Sequence, residues 1–328
     1  MSREKRTAPI VIAGNEPGLP YSKGLMASQV MVTGLSPYRS YKVAERIEDE
    51  LMDRNVPSIT QEELRGLALR VLEDEAGDRY AKNFQRWQEI ARLDVPIVVL
   101  IGGATGVGKS TIATQIAGRL GIVRVIPSDA VREVMRGLFS RELMPALYTS
   151  SFDADSALRE PPGKAEDKVI VGFREQTAAV SVGIKALIER AAVEGTSAII
   201  EGAHVVPGFL DLDSFGERVL AVPVVVTVED EDMHRGHFVA RSADSALRPF
   251  DRYLENFENI RRVQKYIKSQ ALSHDWPVLA SYNLDQTIAA VIDMVVESAS
   301  GRLGGAEPVP EQPALEQIEG GAPRETVS

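Results

Sequence analysis

The stretch "PIVVLIGGATGVGKSTIA", residues 96–113, constrains this chain more than any other. An unbroken apolar run enters a glycine-rich loop, and a helix-forming run leaves it. Apolar runs without alternation belong to strands buried on both faces, which is the habit of parallel sheets. Gly103 to Ser110 match G-x-x-x-x-G-K-[ST] at every position, in the strand-to-helix context that the motif requires. Glycines there let backbone N–H groups converge on phosphate oxygens, and the helix N-terminus adds partial positive charge. Gly103, Ala104, Thr105, Gly106, Val107, Gly108, Lys109, Ser110 and Thr111 are therefore the nucleotide-binding candidates. Lys109 is placed to neutralise the β- and γ-phosphates of ATP, and the Ser110 hydroxyl to hold Mg²⁺.

The same pattern of buried strand and helix recurs downstream. Strands are predicted at 97–101, 123–126, 198–201, 219–228 and 277–281. Helices are predicted at 109–119, 129–138, 165–193, 231–242, 252–270 and 285–298. The expected fold is α/β, a parallel sheet with helices on both faces and right-handed crossovers. Ahead of it, residues 1–90 read as a small, mostly helical domain. Val43, Ile47 and Leu51 recur every four residues behind a candidate N-cap at Ser36, and Thr60 with Glu63 forms a capping box. The polar helix before residue 90 marks a junction. Residues 91–298 form the α/β domain. Residues 299–328 are rich in Gly, Pro and Glu, and the expectation is a disordered tail.

Composition narrows the function. A net charge of −10 argues against general nucleic-acid binding, and the absence of cysteine rules out disulfides and thiolate metal sites. No apolar run approaches the roughly 18 residues that a membrane span needs. A cytoplasmic protein is expected. The guanine-reading N-K-x-D of a GTPase is absent. In "SAIIEG" three apolar residues lead to Glu201, which suits a small-molecule kinase better than a motor ATPase; Glu201 is a second candidate for Mg²⁺.

Three segments follow strands and face the expected crevice. "RVIPSDAVREVMRG" offers Asp129 as base or hydroxyl-orienting group, with Ser128-Asp129 also readable as a helix cap. Arg132 and Arg136 lie on one face of the following helix, able to grip an anion. "EGAHVVPGF" adds His204 as an acceptor contact. Residues 234–268 carry eight basic side chains against four acidic ones, as a lid closing over phosphates would. Within it Arg241 is the candidate for stabilising the transferring phosphoryl group, and Arg248 and Arg252 are acceptor or lid candidates. Arg261, Arg262, Lys265 and Lys268 read as a solvated basic face. His234 and His237 have the spacing of a metal pair, but no third ligand is evident.

Together these stretches resemble the 2-phosphoglycerate kinase family. The resemblance rests on "IGGATGVGKSTIA", "RVIPSDAVREVMR", "EGAHVVPG", "VPVVVTV", "HFVAR", "RPFDRYLENFENIR" and "WPVLASYNLDQT", and covers roughly residues 20–298. It implies transfer of the ATP γ-phosphoryl group to the 3-hydroxyl of 2-phosphoglycerate, with Mg²⁺. The expected partner is thus a small anionic phosphorylated acceptor, with neither nucleic acid nor membrane. The N-terminal stretch "LPYSKGLMASQVMVTGLSPYRSYKVAERIEDELMDRN" resembles an ATP-cone domain, which implies adenine-nucleotide binding or regulation. Two alternatives stay open: a kinase for another acceptor, such as an inositol phosphate, and a non-catalytic nucleotide sensor.

Overall fold

A computed structural model describes residues 11–13, 19–54, 57–90, 93–243 and 250–305. The N-terminal part runs β1 (Val11–Ala13), β2 (Leu19–Pro20), α1 (Lys23–Met31), α2 (Pro37–Asp53), β3 (Ser58–Thr60), α3 (Gln61–Ala76) and α4 (Asp78–Ile90). Local chemistry sets its helix starts. The Ser36 hydroxyl accepts from the Arg39 amide with Pro37 in the first turn, and Thr60 and Glu63 exchange the two bonds of a capping box. Val43, Ile47 and Leu51 then point into one apolar cluster with Leu67, Leu72 and Phe84. The three strands pair in the order β2-β1-β3. β3 was not anticipated, because three residues are too few to show a period.

The second part is the α/β unit. It runs β4 (Ile97–Gly102), α5 (Lys109–Leu120), β5 (Arg124–Pro127), α6 (Ser128–Leu138), α7 (Lys168–Glu194), β6 (Ala198–Gly202) and β7 (Leu220–Thr227). α8 (Glu231–Ala243), α9 (Phe250–Glu255), α10 (Phe257–Ser273), β8 (Val278–Ala280) and α11 (Leu284–Gly305) complete it. All five strands are parallel, in the order β5-β6-β4-β7-β8. β4 is buried along its whole length, as its unbroken apolar run requires. Val99 and Ile101 face the helices α5, α10 and α11, while Val98 and Leu100 face α6 and α7. The connection after β4 runs outward to β5, and the one after its neighbour β6 runs the other way, past β4 to β7. That reversal opens a crevice at the carboxyl ends of the strands.

Three expectations about elements change. The helix predicted at 252–270 is two helices, α9 and α10, broken at Asn256, whose φ of −103° and ψ of 14° are not helical. The last helix continues to Gly305, because Val295, Val296 and Ala299 prolong its buried stripe. Of the tail drawn from 299, residues 299–305 are helical and 306–328 lie outside the described residues. The helix predicted from 165 starts at Lys168 behind the Asp167 cap, and the segment 139–164, unassigned from sequence, contains two short 3₁₀ turns, Pro145–Tyr148 and Ala154–Ala157.

The two parts share contacts. α4 sends Phe84 into the N-terminal cluster but Ile90 into the α/β core, where Val32 also sits. The Asn83 amide donates to Asp293 on α11 at 2.8 Å, and Arg79 pairs with the same carboxylate.

Candidate active site

The loop after β4 is held from below by α8. Gly106 has a φ of +89°, and a Cβ there would lie 2.4 Å from the Phe238 ring, so only glycine fits. His234 donates from Nε2 to the Thr105 carbonyl at 2.8 Å, and His237 donates from Nδ1 to the Gly106 carbonyl at 2.8 Å. Arg261 lies 3.4 Å from His234 Nδ1 and has only donors, so that nitrogen accepts and Nε2 carries the proton. Burial, with Arg261 nearby, pushes the His234 imidazole down to about 4, so it is neutral at physiological pH. The spacing that suggested a metal pair is thus used to pin two loop carbonyls.

Arg261 corrects the expectation of a solvated face. It is buried and donates to the carbonyls of Val228 at 2.5 Å and Glu229 at 2.8 Å. Lys268 pairs with Glu229 at 2.7 Å, while Arg262 and Lys265 are exposed as expected. Charge counting missed this because a guanidinium can be satisfied by backbone carbonyls as well as by water.

Lys109 is buried at the start of α5, with Nζ donating to the Ala104 carbonyl at 2.7 Å. Beside it, the Ser110 hydroxyl donates to Glu201 Oε1 at 2.8 Å. Glu201 is only 4% exposed; register brings it there, since β6 pairs Glu201 with Ile101 of β4. Asp129, at the start of α6, lines the same crevice of about 390 Å³ with Lys109, Ser110, Glu201, His237 and Tyr282. A hydroxyl and two carboxylates are hard oxygen donors, the set Mg²⁺ takes alongside water and substrate phosphates. Among the described residues no group of three or more His, Cys, Asp or Glu could hold a metal ion by itself.

The Asp129 side chain is 74% exposed at the crevice mouth. The surrounding protein works against its charge, while the nearby cations Arg132 and Lys109 favour it, and the carboxyl is held below the usual range. Arg132 reaches Asp129 Oδ1 from Nε at 3.4 Å and donates from Nη1 to the Leu147 carbonyl at 2.7 Å. Arg136 turns elsewhere, pairing with Glu133 at 2.7 Å and covering the Tyr148 ring at 4.9 Å. Arg252, on α9, lies 3.6 Å from Asp153 and over the Phe152 ring, so the lid side meets the 139–167 segment there. Arg241 falls within α8, but its side chain lies outside the described residues, as does Arg248.

Two readings are corrected here. His204 is fully buried beneath the crevice, with both ring nitrogens bonded, and does not project toward an acceptor. Apolar packing by Val205 and Val206 on either side of the sheet draws it inward. Ser128 is not a helix cap: α6 is preceded by Pro127, no side chain caps it, and the Ser128 hydroxyl bonds His204 instead. Gln176, also in that network, was not singled out from sequence, because a lone glutamine on a long helix carries no motif.

A phosphate cradle after the central strand, a hydroxyl–carboxylate pair beside it and this sheet order define a P-loop kinase. No family model matches the chain. A 2-phosphoglycerate kinase from Methanothermobacter thermautotrophicus is 40% identical over 298 residues, covering 90% of this chain and 97% of its own length. Proteins of the same name from Methanopyrus kandleri and Thermococcus kodakarensis are 39% and 38% identical, over 84% of this chain and 84% and 92% of theirs. The chain belongs to the 2-phosphoglycerate kinase family. Among solved structures, a shikimate kinase from Acinetobacter baumannii aligns over 63% of this chain at 15% identity and a TM-score of 0.36, too loosely to add to the sheet order.

Proposed function

We propose that the chain is a cytoplasmic kinase that moves the ATP γ-phosphoryl group to the 3-hydroxyl of 2-phosphoglycerate, giving ADP and 2,3-bisphosphoglycerate. The observation that carries the chemistry is the meeting of Lys109, the Ser110–Glu201 pair and Asp129 in one crevice. The acceptor rests on the shared name of relatives that match nearly end to end. In this reading the loop amides and Lys109 hold the β- and γ-phosphates. Ser110, with Glu201 or Asp129, would hold Mg²⁺, which would supply charge neutralisation. Asp129 takes the hydroxyl proton as the new P–O bond forms and the bond to the ADP oxygen breaks. Arg132, Arg248 and Arg252 meet the acceptor's carboxylate and phosphate, and Arg241 stabilises the transferring phosphoryl group.

Arg136 fits this reading through packing on Tyr148, not through contact. The N-terminal domain, 1–90, is read as an ATP-cone-like regulator. In support, a cavity of about 870 Å³ lies between α1 and α3, lined by Tyr21, Ser22, Gln61 and Arg65 among others. ADP release across a panel of acceptors tests the function. Stimulation by 2-phosphoglycerate above 3-phosphoglycerate, inositol phosphates and glycerol is expected. Stimulation by a neutral alcohol alone would overturn the reading.

A further inference from the structure

The corrected position of His204 raises its own question, because a buried polar chain there must serve something. Ser128, His204 and Gln176 are all buried, and hydrogen bonds join them in series. Ser128 Oγ lies 2.9 Å from His204 Nδ1, and His204 Nε2 lies 3.0 Å from Gln176 Oε1. The Gln176 amide nitrogen donates to the carbonyls of Ala146 at 2.6 Å and Thr149 at 3.1 Å, which leaves Oε1 as its acceptor. His204 must then donate from Nε2, and its Nδ1 accepts the Ser128 proton. The donors along the chain then run in one direction throughout: Ser128 to His204 to Gln176 to the backbone of residues 146–149. The backbone has made room for it. Gly202 has a φ of +148°, and a Cβ there would lie 1.9 Å from Ser128 Oγ.

The two ends of this chain matter. One is Ser128, the residue immediately before Asp129. The other is the turn whose Leu147 carbonyl receives Arg132. We infer that the Ser128–His204–Gln176 chain is a positioning device that fixes the Asp129 carboxylate relative to the segment 145–149, so that base and acceptor wall hold one geometry. The inference rests on the kinase reading of Asp129. None of the three side chains touches substrate. They act through Asp129 and Arg132, and a fully satisfied buried chain is the kind of element that permits one arrangement only.

The test is a set of variants in the full chain. Each is assayed for single-turnover phosphoryl transfer, KM and equilibrium ATP binding, with thermal melting to check the fold. Ser128→Ala removes one oxygen, the least disruptive cut. It and His204→Leu are expected to lower kcat about tenfold to a hundredfold, the scale of a misplacement near 1 Å, with ATP binding unchanged. His204→Gln, which can both accept from Ser128 and donate to Gln176, is expected to restore most of the loss. In the Asp129→Asn background, Ser128→Ala should lower kcat no further, whereas a merely structural role would give additive losses. Additive losses, or full activity in Ser128→Ala with Asp129→Asn inactive, would overturn the positioning role. Full activity in Asp129→Asn would instead remove the base assignment beneath it.

Discussion

The two walls of the crevice are built differently. On the nucleotide side, the loop of residues 103–108 is gripped from α8 by His234 and His237 and braced by Arg261. The two histidine bonds run to backbone carbonyls, Arg261 backs His234 from behind, and His234 and Arg261 are buried. On the acceptor side, Arg132 and Arg252 are tied to Asp129 and Asp153, at 3.4 and 3.6 Å. Those ion pairs are long, and Asp129 is largely exposed. Exposed pairs contribute little to stability, and an incoming anion can exchange for either carboxylate. The backbone of both walls is therefore held from behind, the nucleotide wall by α8 and the acceptor wall by Ser128, His204 and Gln176, but among the described residues only the acceptor wall carries cations whose exposed partners an incoming anion can replace. A cradle common to many phosphates can be rigid. A wall that must select one acceptor gains from contacts completed only when that acceptor is present.

The largest effect that would break this comparison lies on the rigid wall. Lys109→Ala should reduce phosphoryl transfer by about a thousandfold or more, with little change in melting temperature. Near-normal ADP release from a folded variant would remove this site from the chemistry. Next comes the acceptor wall. Arg132→Ala should lower kcat/KM for the acceptor by roughly two to three powers of ten and leave the ATP KM nearly unchanged. An equal rise in both KM values would show that Arg132 serves the whole crevice.

Acid should weaken both walls alike, because each rests on one buried neutral histidine. His204 and His234 are each pushed down from 6.5 to about 4, burial being the first cause in both. Between those values the unfolded chain binds protons that the folded chain refuses. Stability is thus fully present above pH 6.5 and falls as pH drops toward 4, by about 1.4 kcal/mol per pH unit for each histidine. Urea unfolding at several pH values reads the slope, and His234→Gln should reduce it. A flat profile across that window would mean that the imidazoles are not held neutral. The smallest effect is expected from Arg252→Ala, whose pair with Asp153 is half exposed. A loss of about tenfold or less in acceptor kcat/KM, with no change in melting temperature, is the expected result. A larger loss would move the centre of acceptor binding toward α9.

Much of the molecule was legible in its sequence. The strand–loop–helix at residues 97–120 follows from a period-free apolar run, three glycines and a lysine, all local signals. The caps of α2 and α3 follow from single side chains acting within one turn. So does the presence of Asp129 and Glu201 at strand ends, because chain direction fixes which end of a parallel strand faces the crevice. Other features depended on residues far apart in the chain. His204 bonds partners 76 and 28 residues away, and His234 and His237 reach back 129 and 131 residues to the loop they hold. A histidine in a sequence shows two nitrogens and no partner. Whether they meet a ligand, a carbonyl or another side chain is decided when the sheet order brings β4, β6 and α8 together. Local propensity and periodicity act within a few residues, so the sequence alone determined the elements and the cradle. Burial and hydrogen-bond satisfaction are properties of the packed whole, so only the tertiary structure decided which polar side chains face the crevice and which support it from behind.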